Sequence, residues 1–469
     1  MKEQKRARAV TSGARAAGLH RKLIRNATVL TLDPSRGILP QADILIVGDR
    51  IKEIAPNLSA SDAEIIDASN MIAMPGFVDS HRHMWQGAIR QQFPNQSVYD
   101  YFDHVLGGLG PRYRPEDVYI GNLVSALGAI DAGVTTVLDW SSISNSPQHS
   151  DAAIEGLKVS GIRAVYAFAG PQTGISPWID TEGPRYSEDE TQAARYPSDI
   201  RRLRPQYFST EDQLLTLALG ADGPDHSPVE SAIAEWEIAR EVGARISVHM
   251  AGNQNLAKLV KMKQRSLLKP DTTYLHCIDL SDEIWEILKE TGASVSISSS
   301  AEMEQGFVPA IQEALDHGFR PSLSVDGETD APSDMFTQMR TLFALQRALC
   351  VRAGQNGTDP PVLLGVEDLL EFATVAGAKA NGLEHKVGTL AVGMQADVIL
   401  LRTDRINVLP VSNPVGAVVL GMDTSNVDSV FVAGRSLKRD GTLVGVDIDF
   451  VSRRARASQE YLLPTKCNE

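Results

Sequence analysis

The sequence predicts a parallel (β/α)8 barrel joined to a small β-sandwich built from both ends of the chain. Three observations carry this. Between residues 71 and 385, eight short apolar strand candidates alternate with amphipathic helices, the rhythm of βα units that close into a barrel. Before and after that stretch, apolar and polar residues alternate in segments too small to bury a two-sided sheet alone. Finally, His and Asp residues stand at the C-terminal ends of several strand candidates. A barrel brings the C-terminal ends of all its strands, first and last included, into one ring, which an open doubly wound sheet does not.

In chain order, residues 1–22 read as a basic tail, with eight basic side chains and one acid in the first 26 residues. An export signal would need an apolar run next, and Arg25 and Asn26 interrupt the only candidate. Residues 23–70 form the first part of the sandwich, with Gly48-Asp49 placed for a hairpin turn. The barrel spans 71–385, with strands at 73–80, 134–139, 163–168, 215–219, 245–249, 273–276, 294–298 and 320–325. Helices such as PVESAIAEWEIAREVG lie between them and end in Gly, as helix termini favour. An irregular stretch, 170–212, follows the third strand and reads either as a lid or as surface decoration. Residues 386–469 complete the sandwich and end in a tail.

Composition narrows the function classes. The chain has 469 residues, 43% of them hydrophobic, and a formal net charge of −14. That balance suits a large core and argues against binding nucleic-acid phosphates as the main task. No run reaches the ~18 apolar residues of a membrane span. Cys277, Cys350 and Cys467 are too few for a disulfide framework or a thiolate metal site. A metal here needs imidazole and carboxylate. The expectation is a cytoplasmic homo-oligomer, a dimer or higher, that acts on a small molecule without nucleic-acid or membrane partners.

The strongest local signal is PGFVDSHRH. Residues i and i+2 of an extended chain point the same way, so His81 and His83 can share one ion. His249 ends the fifth strand, His276 the sixth and Asp326 the eighth. The barrel brings these ends into one ring, and their joint presence points to a metal site.

These motifs, together with SVHM, YLHCIDLSDE, SLSVDGETDAPSDMFTQMR and the later VGTLAVGMQADVILL, resemble the amidohydrolase superfamily. The similar branch is that of cytosine- and adenosine-deaminase-related and triazine-hydrolase-like enzymes, over residues 23–446. The resemblance implies that His81, His83, His249 and Asp326 bind one divalent metal ion, Zn²⁺ first and Fe²⁺ second. Dinuclear members use a modified lysine at the end of the fourth strand; LTLALGADG has none, which implies a single ion. Asp326 would act as general base and then general acid. His276 would stabilise the oxyanion, with a fifth-ligand or structural role as its alternative.

One departure stands out. Deaminases of this branch carry a glutamate three residues after the fifth-strand histidine, and here that position is Gly252. Glu302 and Glu304, after the seventh strand, are the replacement candidates, with Glu304 preferred as catalytic and Glu302 as substrate-binding. Both acids could instead simply favour the following helix N-terminus. Trp85 and Gln86 are expected to wall the pocket, Trp85 by stacking or as plain packing. His149, Asp139 and Trp140 lie within reach of the same face. His104 and His226 receive no role.

The expected activity is metal-dependent hydrolysis of a carbon–nitrogen bond in a small nitrogen heterocycle or amidine-like compound. The alternatives are hydrolysis of a cyclic amide, displacement of a halide, or a metal-binding scaffold without catalysis. Neither a G-x-S-x-G elbow nor a G-x-x-x-x-G-K-[ST] phosphate loop occurs.

Overall fold

A computed structural model describes residues 20–171, 196–357 and 361–463. The basic segment 1–19, Cys467 and the 172–195 part of the expected lid lie outside the described residues.

Among the described residues the first five strands are β1 (Arg21–Leu30), β2 (Ile38–Val47), β3 (Arg50–Ala55), β4 (Glu64–Asp67) and β5 (Met71–Pro75). The barrel strands follow as β6 (Phe77–Arg82), β7 (Val134–Ser141), β8 (Arg163–Ala169) and β9 (Leu215–Ala221). They continue as β10 (Arg245–Ala251), β11 (Thr272–Ile278), β12 (Ser294–Ile297) and β13 (Ser322–Leu323). The last four are β14 (Val398–Arg402), β15 (Val427–Val432), β16 (Arg435–Arg439) and β17 (Thr442–Leu443).

The terminal strands form one mixed sheet in the order β17-β16-β15-β14-β5-β1-β2-β3, with β4 beside β1. The antiparallel pairing of β14 with β5 joins the two ends of the chain. Alternate residues such as Ile24, Val29, Ile44, Ile46, Val398 and Leu400 supply its buried face.

The segment 73–80 divides between two sheets. β5 belongs to the terminal sheet and β6 begins the barrel, with Gly76 between them. A Cβ at Gly76 would lie 2.1 Å from Cγ2 of Thr135, so the handover is possible only with glycine.

The eight barrel strands pair in sequence order, all parallel. Between its first and last strands the backbone closes through Asp326 N to His81 O (2.9 Å) and His83 N to Asp326 O (3.0 Å). Much of the interior is apolar, with Val78, Leu138, Trp140, Val165 and Leu275 in one cluster. The side under β6, β12 and β13 is filled instead by serine hydroxyls. Ser80 bonds Ser296 (2.8 Å) and Ser322 (2.7 Å), and Ser324 bonds Ser296 (2.8 Å) and Ser298 (2.7 Å). A hydroxyl can both donate and accept, so the serines of this layer pair with one another.

Two contacts fix the barrel to its surroundings. Arg163 at the start of β8 forms a buried pair with Asp397 (2.8 Å) just before β14. The last element among the described residues is a helix, Ile448–Leu462. Its Ser458 hydroxyl donates to Asp117 (2.6 Å) on the barrel helix Pro115–Asp131. No helix among the described residues is long and apolar enough to cross a membrane.

Candidate active site

β6 is extended up to Arg82, so His81 and His83 project to the same side at the barrel's C-terminal end. His81 Nε2 lies 3.0 Å, and His83 Nε2 3.2 Å, from the same oxygen of Asp326, Oδ1. His83 donates its Nδ1 hydrogen to the carbonyl of Trp140 (3.0 Å). That contact fixes the tautomer and leaves Nε2 as a lone-pair donor, the outer contact typical of metal-binding histidines. The His249 ring lies 4.9 Å from that of His81 and 5.8 Å from that of His83, centroid to centroid. Donor atoms of His81, His83 and Asp326, and likewise of His81, His249 and His276, lie within 4.8 Å of one another.

The electrostatics suit a cation. Burial drives the His81 pKa down to about 3 and that of His249 well below its ordinary value, so both rings stay neutral donors. Asp326 is also buried, which disfavours its charge, but its contacts with His81 and His83 outweigh that and hold its pKa well below the carboxylate range. Two neutral imidazoles and an ionised carboxylate are the protonation states a divalent ion requires. The residues present therefore fit such an ion.

Behind the pair, Arg82 is buried and anchored on Asp79 (2.7 Å) and Glu328 (2.7 Å). Glu328 also accepts from Arg90 (2.9 Å) and Ser125 (2.6 Å). This network ties the strand that carries both histidines to the loop after Asp326. Asp326 and His276 themselves have left-handed backbones, φ 70° and 68°; such strain in non-glycine residues collects at functional sites.

A cavity of about 320 Å³ opens above these groups, lined by His83, His249, His276, Glu302 and Asp326 among others. Its size is at the lower end of the range for small-molecule sites. His276 reaches Glu302 through Nδ1 (2.8 Å) and approaches Asp326 Oδ2 through Nε2 (3.9 Å). Burial disfavours the His276 cation, yet the Glu302 bond and the charges of Asp326, Glu302 and Asp225 raise its pKa above the ordinary value.

Several expected pocket residues sit elsewhere. Trp85 is fully buried against Tyr113 in the core, because β6 runs into the turn Met84–Ile89 and carries its side chain away from the cavity. Gln86 is buried too, held by Tyr101 (2.7 Å) and the Glu328 amide (2.9 Å). His149 is fixed between Ser146 (2.7 Å) and the Tyr113 carbonyl (2.9 Å) at a helix start. Asp139 lies behind His83, holding Asn122 (2.6 Å), and burial lifts its pKa to about 7. Of the two glutamates, Glu302 lines the cavity and Glu304 does not. In the helix Ser299–Glu304, position 302 turns inward to His276, and position 304, about 200° further round, is exposed.

Other residues on the cavity were missed. Asp225 and His226, on the helical turn Gly223–His226 after β9, line it together with Tyr101, Phe102 and Phe307. No spacing signal marks them, since they come from three separate segments of the chain.

The sequence profile of the Amidohydrolase family matches residues 72–437. The chain belongs to this family. Among similar proteins is the 5'-deoxyadenosine deaminase of Methanosarcina barkeri, 27% identical over 94% of this chain and 98% of that one. Another is the 5-methylthioadenosine/S-adenosylhomocysteine deaminase of Thermoanaerobacter pseudethanolicus, 24% identical over 92% and 96%. Among solved structures, the zinc complex of atrazine chlorohydrolase from Arthrobacter aurescens superposes with a TM-score of 0.79, at 22% identity over 93% of this chain and 99% of that one. An adenosine deaminase from Xanthomonas campestris with bound zinc gives 0.78, at 18% identity over 94% and 98%. This amidohydrolase thus has the expected barrel with a small terminal domain. Hydrolysis of carbon–nitrogen bonds accords with the family and with the deaminases it is similar to.

Proposed function

We propose that this amidohydrolase holds one divalent ion, zinc first and iron as the alternative, through His81, His83, His249 and Asp326. It hydrolyses a carbon–nitrogen bond of a small nitrogen heterocycle or amidine-like compound and releases ammonia or an amine. The observation that carries this reading is the approach of two Nε2 atoms to one carboxylate oxygen, at 3.0 and 3.2 Å, at the mouth of a cavity. A divalent ion at such donors lowers the pKa of water toward neutrality.

The chain's own groups supply the rest. Asp326 Oδ2 points away from the imidazole pair, toward His276. It accepts the proton of the attacking water and later passes it to the departing nitrogen. His276, held through Nδ1 by Glu302, presents Nε2 to the oxyanion that forms as the sp² carbon becomes tetrahedral.

The names of similar proteins make 6-aminopurine nucleosides the first substrates to try. The test is ammonia release across purines, 5'-deoxyadenosine among them, and across pyrimidines, pterins and triazines. Ammonia from any of these supports the reading. One observation favours a second: Gly252, on the cavity wall, has no side chain to shuttle a proton to a ring nitrogen. Ring opening of a cyclic amide, or halide release, without ammonia would select that alternative. The protein is also taken as a cytoplasmic homo-oligomer, and sedimentation analysis checks the oligomeric state.

A further inference from the structure

Glu302 is 2% exposed and lines the cavity. Its Oε1 accepts two hydrogen bonds, from the Ser298 amide (2.8 Å) and from His276 Nδ1 (2.8 Å), which uses both lone pairs. Its Oε2 is buried and has no partner among the described residues. A buried carboxylate oxygen without a donor is costly, and native proteins seldom leave one unpaired.

The groups around it narrow what completes it. Asp225, Asp279 and Asp326 face the same cavity, and no Lys or Arg does among the described lining residues. The acidic lining thus favours a neutral or cationic group at Glu302 over an anionic one. Phe102, Phe307 and Ile278 give the remaining wall an apolar character suited to a flat ring.

We infer that Glu302 Oε2 is a substrate-binding acceptor for an N–H-bearing edge, neutral or cationic, of the amidine or aminoheterocycle type. The inference deepens the function proposed above and rests on it for the identity of the reacting bond. It assigns to Glu302 the recognition of the nitrogen edge beside the carbon under attack. Asp326 and His276 keep the chemical steps.

The test is calorimetric binding of benzamidine and of acetophenone, similar in shape but without N–H donors, to the full-length metal-loaded protein. Glu302→Gln keeps an oxygen for Ser298 and His276 and places an NH₂ group where Oε2 stood. Benzamidine is expected to bind the wild type more tightly than acetophenone and to weaken about tenfold to a hundredfold in Glu302→Gln, as for a charge-assisted hydrogen bond. Acetophenone should bind both proteins equally or gain slightly in the variant. Equal benzamidine affinity in the two proteins, or no preference for benzamidine in the wild type, would overturn the inference. If Glu302→Gln does not fold, Glu302→Asp carries the test: selective weakening of benzamidine supports it, and no selective effect overturns it. Metal content and ammonia release from the same wild-type sample separate the two proposals. Glu302-dependent binding without metal or turnover would sink the function and leave the acceptor role.

Discussion

His81 Nε2 and Asp326 Oδ1 lie 3.0 Å apart although 245 positions separate them in the chain. The same two residues close the barrel, since Asp326 N donates to His81 O (2.9 Å). Closure of the fold and assembly of the site are therefore one event. The eighth strand cannot drift from the first without also separating the donors.

Asp326→Asn keeps the shape of this contact and removes its charge. Bound metal should fall well below one equivalent, and turnover should drop by about 10²–10⁴-fold, the range for a lost acid–base group. Elemental analysis and initial rates on one preparation check both.

His276 has a different expected signature. His276→Gln should cut kcat about 10²–10³-fold, as for a lost oxyanion donor, while leaving metal content unchanged. If the metal disappears with the ring, His276 belongs to the ligand set, as its grouping with His81 and His249 would allow.

Glu328→Ala tests the support behind the histidine pair. It leaves Arg82, which is fully buried, with one carboxylate partner instead of two. Breaking such a buried pair typically costs about 3–5 kcal/mol, measurable by urea unfolding. A loss under 1 kcal/mol would show that Asp79 alone suffices.

Much of this was legible in the sequence because it follows simple periods. The H-x-H pair reads directly from the two-residue repeat of a strand, and apolar run lengths place His249, His276 and Asp326 near the C-terminal ends of their strands, although β10 and β11 run two residues past their histidines and β13 stops three residues before Asp326. The choice between Glu302 and Glu304 was not legible, since it depends on the residue at which a six-residue helix begins. Of the two roles open to Trp85, stacking or plain packing, the structure shows packing, because the chain turns at Met84–Ile89. Asp225 and His226 reach the cavity through tertiary placement alone. The serine layer under β6, β12 and β13 was equally hidden, because strand serines ordinarily read as solvent-facing.

Asp117 provides a pH test remote from the site. Burial opposes its charge, but Arg114 (2.8 Å) and Ser458 (2.6 Å) outweigh that and lower its pKa. A carboxylate with a depressed folded-state pKa adds stability above its unfolded pKa and loses it as pH falls through the folded value. Asp117→Asn should therefore cost about 1–2 kcal/mol at pH 7, and the gap should shrink below pH ~4. An equal gap at pH 7 and pH 3 would contradict the assignment.

The most direct test of the central claim is a zinc titration of the chelator-treated protein, with ions bound and ammonia released from 5'-deoxyadenosine or the best heterocycle of the panel read together. The account expects both to rise in parallel and to level off at one ion per chain. Failure to take up metal, or full turnover in its absence, would contradict it.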